Sequence, residues 1–349
     1  MAVALVQAAE RSALSHACDL VALINGGAMA KVIAVAAECK IADHLDAGRM
    51  RADELARSTG LHAPALRRLL RALVSLDLCL EREDGSFELS PMGELLRSDA
   101  SHSLRNWILW YGRYMAPLWD NLRYSVQSGE SVRKLLTGTN DFGHLDHDAE
   151  AASVFNRAMA EFTRLVASEA LRSYDFSRMR RVVDVGGGHG AFIAALLQAN
   201  PELRGVLFDL PHATPGAKAL LADAGVAGRC EVMIGSFFDQ VPAGADGYLL
   251  KAIIHDWDDA KGTVILRNCR HAMPPHAKLV VVERVLPERF QPTARHHAIA
   301  RADLTMLIAL GGRERTAAEF ARLFHLSGFR LASVTATDLE YSILEGIPC

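Results

Sequence analysis

Basic excess is missing from this 349-residue chain: 38 Lys+Arg stand against 41 Asp+Glu, a net charge of −3. Without a global positive field it has little hold on nucleic acid or an anionic membrane surface. Cysteine is scarce and scattered. The six (Cys18, Cys39, Cys79, Cys230, Cys269 and Cys349) form no CxxC pair, which argues against a zinc site or a disulfide framework and for a reducing cytoplasm. No apolar run reaches about 18 residues without a charge, so no bilayer-spanning segment is expected. The start, MAVALVQAAERSALSHACDL, has no basic region ahead of its apolar stretch and carries Glu10 and Arg11, which speaks against a signal peptide. Internal repeats and low-complexity tracts are also lacking. What remains is half hydrophobic and 23% charged, as in an ordinary soluble globular protein, and the length suits two domains of roughly 100–200 residues each.

The two halves differ in character. Residues 1–100 read as helices with one small β element. The stretch 19–46 is rich in Ala, Val and Ile at helical spacing and ends near Gly48. Asp53–Ser58 and Ala63–Leu76 then form a helix-turn-helix about Thr59-Gly60, with Leu66, Leu69, Leu70 and Leu73 on one face of the second helix. Short strands Leu78–Glu81 and Phe87–Leu89 flank the turn Glu83-Asp84-Gly85-Ser86. Helix-turn-helix followed by a hairpin is the pattern of a winged helix. Residues 101–176 read as a helical linker with a Gly-, Asp- and His-rich loop at 138–147. From 181 onward, apolar runs Arg181–Val185, Gly205–Phe208, Cys230–Ile234, Gly247–Ile253 and Lys278–Val282 alternate with helical segments, the mark of a parallel sheet. Arg330–Thr335 and Tyr341–Leu344 would add an antiparallel edge.

The first of these strands runs into Gly186-Gly187-Gly188-His189-Gly190 and then a helix. Glycines allow a sharp turn and a close ligand approach, and the helix start offers free N–H groups. Asp209 ends the second strand 21 residues after Gly188, where a carboxylate accepts hydrogen bonds from a ribose diol. The ligand is therefore nucleoside-containing. Gly186, Gly188 and Ala191 also satisfy the dinucleotide pattern GxGxx[GA], so a nicotinamide cofactor stays open on these residues alone. The crowded DVGGGHG with Asp184 resembles instead the first motif of S-adenosylmethionine-dependent methyltransferases.

A later strand, GYLLKAIIHDWDD, ends in His255-Asp256-Trp257, at the carboxyl edge where open α/β sheets place their chemistry. Glu283 ends the next strand and Glu314 follows a glycine turn. Either carboxylate can accept the Nδ1 proton of His255, fix its tautomer and leave Nε2 free to take a proton. Ion pairing of the glutamates with Arg284 and Arg313 is the alternative use for them.

Taken in order, DVGGGHG, FDLPH, GSFFDQVPAGADGYLLKAIIHDWDD, VVVERVLP and DLTMLIALGGRERTAAEF resemble the caffeate-type small-molecule O-methyltransferases of plant and bacterial natural-product pathways. The likeness extends to FNRAM (Phe155–Met159) and the winged-helix segment, and so covers nearly the whole chain. It implies a mostly helical winged-helix dimerisation domain over 1–100. Over 101–349 it implies the helical linker plus a Rossmann-like α/β methyltransferase domain, its mainly parallel sheet bearing an antiparallel edge. It also implies S-adenosylmethionine as cofactor, no metal, and a homodimer built through the N-terminal helices. Carried over by motif, Asp184, Gly186, Gly187 and Gly188 would line the methionine end of the cofactor, and Asp209 with Leu210 would hold the ribose. Ser236, Phe237 and Lys251 would flank the adenosine. His255 would be the general base, bracketed by Glu283 and Glu314. Phe155, Met159, Phe162, Asp256, Trp257 and Met306 would face the acceptor. One departure stands out: Gly235-Ser236 replaces the family's usual Gly-Asp, so a short neutral hydroxyl stands where a carboxylate meets the adenine amine.

Acceptor chemistry follows from the base. A phenol at pKa about 10 facing an ordinary imidazole at about 6.5 loses its proton at a cost of roughly 4.8 kcal/mol, and a neighbouring carboxylate narrows that gap. A small aromatic hydroxyl is the expected acceptor. Two rival readings remain: a family-like protein performing hydroxylation or decarboxylation, and a DNA-binding regulator using Arg67, Arg68 and Arg71 on the winged helix.

Overall fold

The computed structural model describes residues 13–349 apart from Ala47, Asp141, His212 and Pro215. They form two compact units, the first ending at Arg113 and the second spanning Tyr114–Cys349.

In the first unit a long helix, Ala13–Glu38, precedes a short one, Ile41–Leu45. The sequence reads as one helical stretch through this region, but Lys40 takes a left-handed φ of 53° and breaks it. Ala34, Ala36 and Ala37 are buried, whereas Leu20, Val21, Leu23 and Ile24 are 55–72% exposed. Ser15–Glu38 is long and apolar enough, by length and composition, to cross a membrane. Asp19, Lys31 and Glu38 keep its charge-free runs short, as read from the sequence, and length with mean hydropathy is all that the likeness to a membrane span rests on. Helices Ala52–Thr59 and Ala63–Ser75 make the expected helix-turn-helix, with Gly60 left-handed at φ 72° between them. Leu66, Leu70 and Leu73 are the buried stripe, spaced i, i+4, i+7. Strands β1 (Met50–Arg51), β2 (Cys79–Glu81) and β3 (Ser86–Leu89) form a sheet in the order β1-β3-β2. The hairpin strands were legible; the two-residue β1 was not.

The second unit is built on strands β4 (Arg181–Val185), β5 (Arg204–Asp209), β6 (Cys230–Ile234), β7 (Gly247–Lys251), β8 (Lys278–Leu286), β9 (Arg315–Thr316), β10 (Phe329–Ala336) and β11 (Tyr341–Pro348). Their order is β10-β11-β8-β7-β4-β5-β6, with β9 beside β8. The run β8-β7-β4-β5-β6 is parallel, and β11 and β10 close one side antiparallel. Both faces of the sheet are covered. Leu249, Val280 and Val282 pack with Phe192, Ile193, Leu196 and Leu197 of the helix Ala191–Ala199. Tyr248, Leu250, Leu279 and Val281 pack on the other face with Ile265, Leu266, Phe320 and Phe324. Two-sided burial is why these strands read as unbroken apolar runs. The winding reverses at β4, between β7 and β5, and such a switch point opens a crevice at the carboxyl ends of the strands. All six cysteines are free thiols.

Candidate active site

The glycine turn after β4 stands at that crevice. Gly186 has φ 73°, and a Cβ there would lie 2.5 Å from Ile253 Cδ1. A Cβ on Gly187 would lie 2.4 Å from Leu207 Cδ1 and 2.6 Å from the Asp184 carboxylate. No side chain fits at either position, whereas a Cβ on Gly188 would meet nothing within 4 Å. The turn is thus tight beneath and open above. Asp184 is 1% exposed, and burial pushes its carboxyl up to about 7 against the opposing pull of Lys251. Its carboxylate lies under Gly187 and faces the Ile193 N–H in the first turn of the following helix. Asp184 therefore supports the turn from below, a less direct part than the expected contact with the cofactor. Asp209 closes the other side. Its Oδ2 accepts from Gly188 N at 2.7 Å and its Oδ1 from Leu210 N at 2.7 Å. A carboxylate at this place is the group that accepts from a ribose diol. Leu210 is 37% exposed beside it.

After β6, Ser236 Oγ accepts from Phe238 N at 3.1 Å. The serine that replaces an aspartate thus braces its own turn. Phe237 lies edge-on to Phe238 and Trp257, with centroids at 4.9 and 6.3 Å. Asn268 Nδ2 donates to the carbonyls of Phe237 and Phe238, each at 2.9 Å, which anchors the pair. Trp257, expected in the acceptor pocket, packs 4.9 Å from Phe238 and under the Lys261 ammonium at 5.0 Å. It belongs with the aromatic cluster behind Phe237. Lys251, at the end of β7, has its pKa lowered by burial, with Asp184 and Glu283 opposing.

Strand β7 stops at Lys251, two residues short of the Ile253 read from the sequence, because Ala252 adopts a left-handed φ of 54°. The chain then makes a three-residue 3-10 turn, Ile254–Asp256. Glu283 Oε1 accepts from the N–H groups of Ile253, Ile254 and His255 at 3.0, 2.8 and 3.3 Å, replacing the sheet partners this segment has lost. His255 is 5% exposed, and Glu283 and Glu314 are 0–1% exposed. Nδ1 of the imidazole lies 3.0 Å from Glu314 Oε1 and 3.3 Å from Glu283 Oε2. Nε2 faces the other way, 3.6 Å from Asp256 Oδ1. Burial pulls the imidazole pKa down, but Glu283, Glu314 and Asp256 outweigh it and the group rises to about 9. Burial raises Asp256 to about 7 and raises Glu283 as well.

Of the two arginines considered as partners for these glutamates, Arg284 is one, with Nη1 3.6 Å from Glu314 Oε1 and Nη2 2.9 Å from Glu340. Its guanidinium also lies over Tyr341 at 4.2 Å and Phe162 at 5.9 Å. Arg313 turns away to Asp259 and Glu319. His255, Glu283 and Glu314 offer ligand atoms within 4.8 Å of one another. With Glu283 committed to three N–H groups and a guanidinium against Glu314, the cluster is arranged to hold a proton. Among the acceptor candidates, Phe155 stacks at 5.6 Å on Phe142, and Phe162 packs at 6.1 Å on Tyr341. Met159 and Met306 are half-buried. Asp303, whose Oδ1 accepts from Glu314 N at 2.9 Å, was not anticipated; a lone aspartate on a helix gives no sequence signal.

Comparison with known proteins places this geometry in context. Residues 119–330 match the O-methyltransferase domain family and residues 21–99 the O-methyltransferase dimerisation domain. A phenazine O-methyltransferase of Lysobacter antibioticus is 42% identical over 94% of this chain and 95% of its own length. The solved structure of LaPhzM superposes with a TM-score of 0.90 at 41% identity, covering 95% of this chain and 99% of that one. An O-methyltransferase from neocarzinostatin biosynthesis, solved with S-adenosylmethionine and 2-hydroxy-5-methyl naphthoic acid, gives a TM-score of 0.74 at 33% identity, covering 92% and 96%.

Proposed function

This chain belongs to the O-methyltransferase family, and from that premise we propose that it methylates the phenolic hydroxyl of a small planar aromatic, with His255 as general base. It is an S-adenosylmethionine-dependent enzyme, and that cofactor, when bound, supplies the methyl group from its sulfonium. The crevice suits such a ligand: the glycine turn is closed to side chains below and open above Gly188, and the Asp209 carboxylate stands beside it. Gly186, Gly187 and Gly188 would hold the methionine end, Asp209 the ribose, and Phe237 with Lys251 the adenosine side. Ser236 Oγ accepts from Phe238 N, and being shorter than an aspartate it would meet the adenine amine through water or leave it to a backbone group.

One observation carries the base assignment. His255 is buried with Nδ1 against two carboxylates and Nε2 directed away from them. Nδ1–H donated to Glu314 fixes the tautomer, and Nε2 takes the phenolic proton. At a pKa of about 9 the imidazole lies closer to a phenol than an ordinary histidine does, so transfer of the proton to the free ring is less uphill. Phe155, Met159 and Met306 supply apolar surface for a flat ring, as expected for orienting two reactants at about 3–3.5 Å. We assign dimerisation to the N-terminal portion, about residues 1–100, because the exposed Leu20-Val21…Leu23-Ile24 face of its first helix needs cover. Residues 101–349 carry the chemistry.

The test is incubation of the protein with methyl-labelled cofactor and a panel of phenols, catechols, polyketides and phenazines. Label should move to a hydroxyl-bearing ring and not to its amine- or carbon-only analogues. Cofactor binding without label transfer to any ring would favour non-methylating chemistry.

A further inference from the structure

Arg315 is the largest fully buried side chain among the described residues, at 0% exposure, and no step described above uses it. Burying a guanidinium is costly unless its donors are satisfied and its charge is met. Here they are. Nη1 donates to the carbonyl of Ile254 at 2.9 Å, Nη2 to the carbonyl of Trp257 at 2.7 Å, and Nε to Asp259 Oδ1 at 3.0 Å. The two carbonyls lie on either side of His255-Asp256. The fork therefore spans the segment that carries the base.

Glu283 Oε1 takes the N–H groups at the start of that segment, and Arg315 takes carbonyls at its two ends. The segment leaves β7 through a left-handed alanine and runs as a single 3-10 turn, with no helical or sheet ladder of its own. The chain bearing Glu314 holds it as well. Arg313 N donates to His255 O at 2.8 Å, and a Cβ on Gly312 would fall 2.1 Å from that same oxygen. Residues 312–315 thus grip the base turn through the backbone on one side of Glu314 and through a guanidinium on the other. Asp259, which receives Arg313 and Arg322 as well as Arg315, ties the grip to the start of the helix Asp259–Ala272.

We propose that Arg315 is a positioning residue that fixes the distance between His255 Nδ1 and Glu314 and the direction of Nε2, with Asp259 as its anchor. The proposal rests on the reading of His255 as base. A planar fork can hold two carbonyls and a carboxylate at once; a lysine ammonium is a point charge and cannot reproduce that geometry. Displacement of a reacting group by about 1 Å costs on the order of 10²-fold in rate.

The experiment uses the full-length protein with Arg315→Lys and Arg315→Met, and His255→Ala as reference. Arg315→Lys should bind S-adenosylhomocysteine as the parent does and keep its KM for cofactor, while kcat falls about 10- to 100-fold. The groups facing the imidazole are Glu314 and Glu283 at Nδ1 and Asp256 at Nε2, with Arg284 behind Glu314. A turn that slips away from the glutamates loses their pull, so the acid limb of the kcat–pH profile should move to lower pH. NMR titration of the His255 ring should show the same fall without turnover. Unchanged kcat and an unmoved His255 titration in folded Arg315→Lys would overturn the proposal, as would the unfolding of both variants, which would make Arg315 a stability residue. Full activity of His255→Ala would sink the base reading instead, and the NMR titration would still decide whether Arg315 positions the ring.

Discussion

Glu314→Gln gives the sharpest test of the proton site, because two consequences of the change run in opposite directions. His255 stands at about 9 against an ordinary 6.5. Burial works against the rise, so the carboxylates supply all of it. Glu314 makes the shorter contact, 3.0 Å against 3.3 Å for Glu283, but shares its charge with Arg284 at 3.6 Å. Shared among Glu314, Glu283 and Asp256, the rise puts the Glu314→Gln imidazole about one unit lower. The neutral imidazole is the active form, so kcat climbs with pH up to the midpoint and then levels. At pH 7 about one His255 in a hundred is neutral in the parent and about one in ten in the variant. The weaker base, however, faces a phenol two units above it where the parent faces one. With a Brønsted coefficient of about one half, that lost unit costs about threefold in the transfer step.

The two profiles should therefore cross. The variant should be about threefold faster than the parent at pH 7 and about threefold slower at pH 10, its midpoint shifted about one unit to the acid side. The assay is the initial rate of methylated product formation from pH 6 to 10 at saturating cofactor and acceptor. The acceptor should have a hydroxyl that ionises above pH 10, so that its own titration stays outside the window. A parallel fall at every pH, with the midpoint unmoved, would falsify the coupling of Glu314 to His255.

Three further outcomes are expected. His255→Ala should lower the methylation rate about 10²–10⁴-fold with cofactor affinity by calorimetry nearly intact; a rate within twofold of the parent would mean that positioning alone carries the reaction. Asp209→Ala should weaken S-adenosylhomocysteine binding by about 1.5–3 kcal/mol, measured by calorimetry, since the carboxylate also holds the Gly188 and Leu210 N–H groups; unchanged affinity would remove Asp209 from the ribose role. Leu23→Asp with Ile24→Asp places two charges on the apolar face of the first helix, where these residues are 72% and 70% exposed; sedimentation velocity should show a dimer turned into monomer, and a dimer that persists would place the interface elsewhere.

Much of this site was legible from residue order alone, for a physical reason. Parallel strands buried on both faces are apolar without interruption, so β4, β5 and the start of β7 stand out, and the polar residues that end them mark the crevice edge. Failures occur where a distant partner decides the local structure. The sequence GYLLKAII reads as one strand to Ile253, yet Glu283, 30 residues further on, takes the N–H groups of Ile253, Ile254 and His255 and ends it. Trp257 sits beside the base in sequence but turns toward Phe238, because a strand that has just ended no longer dictates which way side chains alternate. Arg315 is the hardest case. In GGRERT an arginine flanked by other charges looks like surface, and only the carbonyls of Ile254 and Trp257 and the carboxylate of Asp259 make its burial possible. The exposed face of the first helix was legible as needing cover, and Leu20, Val21, Leu23 and Ile24 stay exposed among the described residues.

The placement of charge around His255 bears on why two glutamates are used where one would fix the tautomer. Methyl transfer from a sulfonium to a phenol removes a positive charge from sulfur, and proton capture deposits one on the imidazole. A buried imidazolium is unfavourable by desolvation, and His255 is 5% exposed. Carboxylates already in place at 3.0 and 3.3 Å meet that charge without reorganisation at the moment it forms. Glu283 is itself held by three backbone N–H groups, and Glu314 by Arg284, which meets the same oxygen as His255 does, and by its own backbone tie to Asp303. Neither can follow the proton. A single glutamate would orient the ring; the second, rigidly held, makes the cation that ends the step a stable one, and the same pair explains why the resting imidazole is harder to deprotonate than an ordinary histidine. On this account, removing Glu314 should speed the step at neutral pH, where more of the imidazole is then free, and slow it at alkaline pH, where the imidazole is already free and only its strength as a base remains to be lost.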